Sequence, residues 1–414
     1  MLPTTQEGVH TSMTLTSLVK LRIFLPFTAG YFLSFLLRNI NAVIAPELTA
    51  ELSVTASDLG LLTSAYLFAF GAFQLPLGIL LDRYGPRRVE AVLLLFATAG
   101  CLLFATGGGL SSLVIGRALI GLGVSACLMA SFKAFSLWFS ADRLASLNAA
   151  VMAAGGLGAL TATTPMALIL ERTGWRGIFW GLGLLALVVA AAVFSTPEKS
   201  SQEKPEPLSE LVGGIGEILR TSAFWRYMPQ AALVMGGFMA LQGLWAIPWL
   251  ITVNGFTRDI AAFHLLLTSV AMLIGFLSLA TLLPTLESHG VTPERILVWG
   301  TGCGVVAMAL IVTGIGDSRV HWFVLGIVFS ISNLSYALLS EQFPSHLFGR
   351  VNTLLNVFIL GGAFGIQWSI GLAIDALGRA GFSQPAAMQA AFIGLLAVQL
   401  LSWVPLILPK PRKC

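Results

Sequence analysis

The sequence predicts an all-α polytopic membrane protein, twelve transmembrane helices arranged as two six-helix bundles. Three observations predict it. Hydrophobic residues make up 56% of the 414-residue chain and charged residues only 10%, against about 25% charged in an ordinary soluble domain. The apolar stretches run for about twenty residues or more, the length a helix needs to cross a hydrocarbon core. Features of the first half also return in the second at a nearly fixed offset. A surface this poor in charge must face lipid, where only helices and closed barrels satisfy the backbone internally. Barrel strands would alternate over about ten residues, so helices are predicted.

Gly, Pro and charge clusters divide the chain into twelve spans. The first six cover residues 20–45, 57–81, 89–109, 112–139, 144–170 and 175–196; the second six cover 226–253, 260–284, 294–315, 320–341, 350–376 and 386–408. These give an N-terminal six-helix bundle over 1–196, a cytoplasmic linker over 197–221 that contains PEKSSQEKPEP, and a C-terminal six-helix bundle over 222–414. The polar residues 1–18 read as a loose cytoplasmic tail. No short apolar core with a small-residue cleavage site follows, so no removable signal peptide is expected.

The positive charges set the orientation. Of 23 Lys and Arg residues, fifteen fall in segments that would be cytoplasmic with the N-terminus inside, five in the outer loops and three in spans. That bias places both termini in the cytoplasm of a cell membrane protein, inner or plasma. The repeat is visible as Asp82-x-x-Gly85 and Glu287-x-x-Gly290, 205 positions apart. Phe139 and Asn148 recur as Phe343 and Asn352, 204 positions apart. Repeated six-helix halves place a solute site at their interface, near the bilayer midplane. The glycine pairs Gly155-Gly156 and Gly361-Gly362 read as points of close helix contact. The cysteines (Cys101, Cys127, Cys303 and Cys414) have no ligand spacing and imply neither a metal site nor a disulfide framework.

Between the second and third spans the chain reads Gly78-Ile-Leu-Leu-Asp82-Arg83-Tyr-Gly85-Pro86-Arg87-Arg88. This resembles the G-x-x-x-D-R-x-G-R-R loop of the major facilitator superfamily of secondary transporters, with Pro86 in place of the first basic residue of the final group. Arg117-Ala-Leu-Ile-Gly121-Leu-Gly123 in the fourth span is similar to that family's R-x-x-x-G-x-G pattern. The resemblance extends, through span number, linker position and repeat, to essentially the whole chain. It implies a conformational latch of Gly78, Asp82, Arg83, Gly85, Arg87 and Arg88. In that latch Gly78 allows close helix approach, Gly85 turns the short loop, and Asp82 pairs with an Arg near a helix N-terminus.

Charge inside a span costs at least about 2.5–3.5 kcal/mol and marks function by default. Three such charges are expected, Arg38, Arg117 and Lys133, and all are positive; no Asp or Glu is placed deep in any span, with Glu341 at the cytoplasmic end of the tenth. A cavity lined by cations favours an anionic solute. Tyr31, Ser34, Arg38 and Asn41 fall at helical spacing and form a polar stripe on the first span. Gln242 is the repeat counterpart of Arg38, and Phe238, Gln242, Trp245 and Trp249 are expected on one face. Arg117 and Lys133 lie about 160° apart around one helix, so only one can line the cavity squarely. Asn333, Tyr336 and Gln367, with Tyr66 and Gln74, are neutral candidates for solute contact. His264 is a candidate proton carrier.

These readings predict a secondary transporter of a small anionic solute, an organic acid or other organic anion, by alternating access with proton-coupled uptake. Organophosphate exchangers resemble this chain in having an Arg in the first helix, but pair it with an Arg where Gln242 stands, which points away from phosphate. The alternatives are a drug–proton antiporter exporting amphipathic compounds and a carrier of neutral sugars or peptides. No acid in the first span and no Gly-Pro pair in the fifth support the exporter. No Walker-type GxxxxGK[ST] or catalytic constellation is present, so neither an ATP-driven pump nor an enzyme is predicted. No cofactor, metal or nucleic acid is implied; the expected partners are the solute, protons and lipid, and the chain is expected to act as a monomer.

Overall fold

A computed structural model describes residues 7–197, 199, 215–344 and 347–408, with side chains from residue 21 onward except at 75, 141, 142, 145, 149, 164 and 280. Most of the predicted linker, residues 198 and 200–214, lies outside the described residues, as does Cys414. The membrane helices follow in the predicted order. Helix α1 is Glu7–Leu52. Helices α2 (56–84) and α3 (86–106) are the two parts of Ala56–Thr106 on either side of Gly85. Helix α4 comprises Leu110–Val124 and Cys127–Trp138, separated by a turn at Ser125 and Ala126. Helix α5 is Ala141–Thr161 with its continuation over 164–173, and α6 (175–194) follows the bend at Gly174.

A short helix over 215–220 precedes α7, which spans Ser222–Thr252. Helix α8 is Arg258–Ser288 and α9 is Pro293–Thr313. Helix α10 covers Ser318–Ser340, α11 is Phe348–Arg379 and α12 is Gln384–Ile407. Among the described residues eleven helices are long and apolar enough to cross a membrane, and Ser146–Thr161 is a shorter apolar one. One boundary differs from the sequence reading. The backbone is already helical from Glu7, where a loose tail is predicted, and α1 runs on to Leu52.

The short loop after α2 exists because of one residue. Gly85 has φ 77° and ψ 160°, a conformation that a Cβ disfavours, and Gly290 at the repeat position has φ 81°. Both copies of the motif therefore turn on a left-handed glycine.

Two compact units result. The first contains residues 1–47 and 72–206; the second contains 48–71 and 207–414. The segment 48–71 belongs to the second of these units. Asp375 of α11 explains much of that. Its Oδ1 accepts a hydrogen bond from Ala56 N at 3.2 Å and its Oδ2 one from Ser57 N at 2.8 Å, capping the start of α2. A cap of this kind is worth about 0.5–2 kcal/mol. The same segment packs Phe68 on Phe364, ring centroids 5.3 Å apart.

Within the second unit, Phe224, Tyr227, Leu297, Leu339, Val351 and Leu355 form one buried cluster that ties α7, α9, α10 and α11 together. Small residues permit such contacts. A Cβ on Gly362 would run into the backbone of Ala232, and one on Gly155 would meet the Tyr31 ring. Their neighbours Gly361 and Gly156 face open space, so each predicted pair contributes one packing glycine.

Candidate functional site

The loop motif is built around an ion pair. Asp82, at the end of α2, receives Lys133 Nζ from α4. Lys133 is thus a partner of the loop rather than a charge standing alone in a span, and it takes the place of the Arg expected beside Asp82. Arg87 Nη1 donates to Thr196 O at 3.1 Å, and its guanidinium lies 4.8 Å from the Phe194 ring centroid. Arg83 stacks over Tyr84 at 5.4 Å, and Arg88 is exposed. These groups border a cavity of about 410 Å³ shared with Trp138 and Lys199. Gly78 departs from expectation: it is exposed, with nothing within 4 Å of where its Cβ would stand, so it makes no close helix contact here.

The polar stripe of α1 faces several neighbours. Tyr31 directs its hydroxyl at Met152 Sδ of α5, 3.6 Å away, and Ser34 Oγ donates to Val124 O of α4 at 3.5 Å. Asn41 is fully buried. Arg38 is the half-buried member, its guanidinium 4.9 Å from the Phe35 ring centroid on the same helix. Arg117 is different. It is fully buried, and Nη1 donates to Leu37 O of α1 at 3.0 Å. That bond ties α4 to α1. Gln74 Nε2 likewise donates to Ser125 O at 3.1 Å, and Tyr66 is buried against Phe70.

In the second unit the expected common face of α7 is broken. Two wide π-type turns, Ala231–Met235 and Leu241–Trp245, interrupt the helix, so arithmetic at 100° per residue fails across them. Gln242 Nε2 donates to Ser269 Oγ of α8 at 3.2 Å, and Trp245 Nε1 donates to Gln367 O of α11 at 2.9 Å. Phe238 stacks on Phe329, and Trp249 stacks on Phe392 of α12 at 4.1 Å. The four side chains meet four different helices, α10, α8, α11 and α12. Gln367 is itself fully buried, and neither its Oε1 nor its Nε2 has a hydrogen-bond partner among the described residues. That amide is a group awaiting a partner.

Asn333 Nδ2 donates back to Phe329 O at 2.9 Å, where α10 breaks, and the Tyr336 hydroxyl donates to Asn356 Oδ1 at 3.0 Å. Both are intrahelical or helix-to-helix ties. His264 has both ring nitrogens engaged, Nδ1 with Ile260 O at 2.7 Å and Nε2 with Ser318 Oγ at 2.8 Å. It borders a cavity of about 710 Å³ together with Trp249, Asp317, Arg319 and Trp322. Outside the spans, Asp317 accepts from Arg319 N at 2.9 Å and from its guanidinium, which holds its carboxyl below the usual aspartate value. Among the described residues no three His, Cys, Asp or Glu side chains converge as a metal site.

Sequence reasoning missed two buried polar centres. Gln230 is fully buried on α7 and bonds Thr301, Ser332 and Ser335 at once. Glu90, near the start of α3 and so not deep along its span, is nevertheless fully buried by packing, which the sequence reading did not anticipate. Nothing marks Gln230 in the sequence. Glu90 was findable, because the repeat offset of 204 pairs it with Glu294.

The profile of the Major Facilitator Superfamily matches residues 27–367. The probable sulfoacetate transporter of Cupriavidus necator is 28% identical over 185 residues, 44% of this chain and 43% of that protein. The hexuronate transporter of Escherichia coli K12 is 25% identical over 259 residues, 57% of this chain and 59% of that protein. The matches thus span about half the length of these relatives. The crystal structure of a D-xylose–proton symporter superposes with a TM-score of 0.71 at 16% identity, covering 92% of this chain and 97% of that one.

Proposed function

This chain belongs to the Major Facilitator Superfamily, and we propose that within it the protein is a secondary transporter of a small organic anion. The observation that carries the reading is Arg38. It is a half-buried cation on a membrane helix, its guanidinium laid over the Phe35 ring, and a guanidinium is the side chain whose planar fork matches a carboxylate or sulfonate. Of the three cations expected inside the membrane, Lys133 pairs with Asp82 and Arg117 is fully buried with a bond to the α1 backbone, whereas Arg38 is half-buried.

The names of the relatives agree with an anionic cargo: one is a probable sulfoacetate transporter and the other a hexuronate transporter. The transporter works by alternating access in the cell membrane with both termini cytoplasmic, and Asp82 and Lys133 latch one of its states.

The test is a thermal-shift screen of the purified protein against sulfonates, hexuronates, other carboxylates, phosphate, neutral sugars and cationic dyes, since a ligand stabilises the state it binds. Stabilisation by carboxylates or sulfonates that Arg38→Ala abolishes is the expected result. A response confined to dyes or neutral sugars overturns the anion reading. Counterflow of the responding solute in proteoliposomes then separates transport from mere binding.

A further inference from the structure

Glu90 has no use in the functional reading above, yet it stands in an unusual place. Its side chain is fully buried, and among the described residues neither carboxylate oxygen accepts a hydrogen bond from nitrogen or oxygen. The polar group that reaches it is the thiol of Cys127 on α4, a weak donor that is itself buried. From α1 the facing residue is Gly30, where a Cβ would collide with Glu90 Oε1 and lie 3.7 Å from Cys127 Sγ. The bare glycine makes the space that the carboxyl group occupies.

Among the described residues, four cations on α1, α3 and α4 are directed elsewhere. Arg87, three residues earlier on α3, reaches Thr196 O and the Phe194 ring. On α4, Lys133 pairs with Asp82 and Arg117 bonds Leu37 O. Arg22 on α1 is exposed.

The second copy of the repeat shows what a charged carboxylate needs at this position. Glu294, 204 residues on, accepts from Arg226 Nη2 at 3.3 Å and from the Tyr227 hydroxyl at 3.3 Å. Arg226 is the counterpart of Arg22 at the same offset. Both units carry the carboxylate; among the described residues a cation bonds Glu294 and none bonds Glu90. An isolated ionised carboxylate in an apolar surrounding is among the most costly arrangements in a protein, and the group relieves that cost by taking a proton.

We propose that Glu90 is a proton-binding site of the first unit. In the packing described here it is the neutral acid. When α1 and α4 part over it, the proton passes to water and the carboxylate is left hydrated. One proton is bound and released at one oxygen, with no other group transferred. The link to transport rests on the organic-anion reading; the proton site itself does not.

Infrared difference spectroscopy on the purified protein in liposomes, recorded between acidic and alkaline pH, tests the site without any cargo. The expected result is a carboxylic-acid C=O band that Glu90→Gln loses. Cys127→Ala should shift that band by removing the thiol partner, so the assignment survives even where Glu90→Gln fails to fold. Superposable spectra for wild type and Glu90→Gln, or a band that Cys127→Ala leaves unmoved, overturn the proposal.

With D-glucuronate as the probe in proteoliposomes, Glu90→Gln should keep counterflow and lose accumulation driven by a pH gradient. Retained accumulation overturns the coupling role. Wild-type protein that ignores glucuronate strikes the cargo reading and leaves the infrared result to decide on Glu90.

Discussion

Lys133 of α4 closes an ion pair onto Asp82 at the end of α2, with the Lys side chain 18% exposed and the Asp side chain 51% exposed. A pair this open to solvent is worth about 0–1 kcal/mol. It suits a fastening that must open in every cycle, and it does not suit a structural anchor. Asp82→Asn and Lys133→Ala should each slow counterflow while leaving the half-saturating solute concentration unchanged, and the double variant should be no slower than the worse single one. Weakened solute binding in Lys133→Ala would instead put that amine in the solute path.

Arg38 should behave as a binding charge. Arg38→Ala is expected to abolish uptake and ligand-induced thermal stabilisation, and Arg38→Lys to retain a little of both, since an ammonium keeps the charge but not the two-pronged geometry. Wild-type rate and affinity in Arg38→Ala would remove the basis of the anion reading.

Arg117 should behave as a fastener. Arg117→Ala empties a fully buried site and releases the Leu37 carbonyl, at a cost of about 2–5 kcal/mol by analogy with large-to-small core changes. The expected outcome is a lowered melting temperature, with solute affinity preserved in whatever fraction folds. Affinity lost at unchanged melting temperature would return Arg117 to the solute path.

The motif glycines should separate. Gly85 sits at φ 77°, so Gly85→Ala is strained by about 1 kcal/mol or more. Gly78 faces open space, and Gly78→Ala should leave the melting temperature unchanged. Equal effects of the two substitutions on thermal stability would contradict this geometry.

Asp317 gives a pH signature. Pairing with Arg319 holds its carboxyl below the usual aspartate value, so its stabilising effect is present above the unfolded value of about 3.9 and is lost as pH falls through the lower folded value. Asp317→Asn should therefore melt lower than wild type near neutrality and converge with it in acid. A gap between the two that persists in strong acid would assign the effect to something other than this charge.

The readable part of the site was the part written in local residues. The loop turn shows in Gly85 because only backbone without a Cβ readily adopts that conformation, and its second copy shows in Gly290. The face of α7 was not readable. A π-type turn at Leu241–Trp245 shifts every later side chain around the axis, and no residue type in the stretch announces it. Gln242, Trp245 and Trp249 consequently address α8, α11 and α12 in turn. Glu90 was passed over because position along a helix does not reveal depth or neighbours; burial arises from what Gly30 and Cys127 leave around it.

The sequence by itself determined the class, the number and order of the spans, the repeat and the loop motif, because these follow from apolar length, charge scarcity and glycine placement along one dimension. Tertiary structure alone decided which cations are already spent. Lys133 and Arg117 are ordinary intramembrane charges until Asp82 and the Leu37 carbonyl are brought to them, and Glu90 is an ordinary acid until no cation is brought to it. Charge state and availability depend on partners within a few ångströms in space, and those distances are not encoded in spacing along the chain.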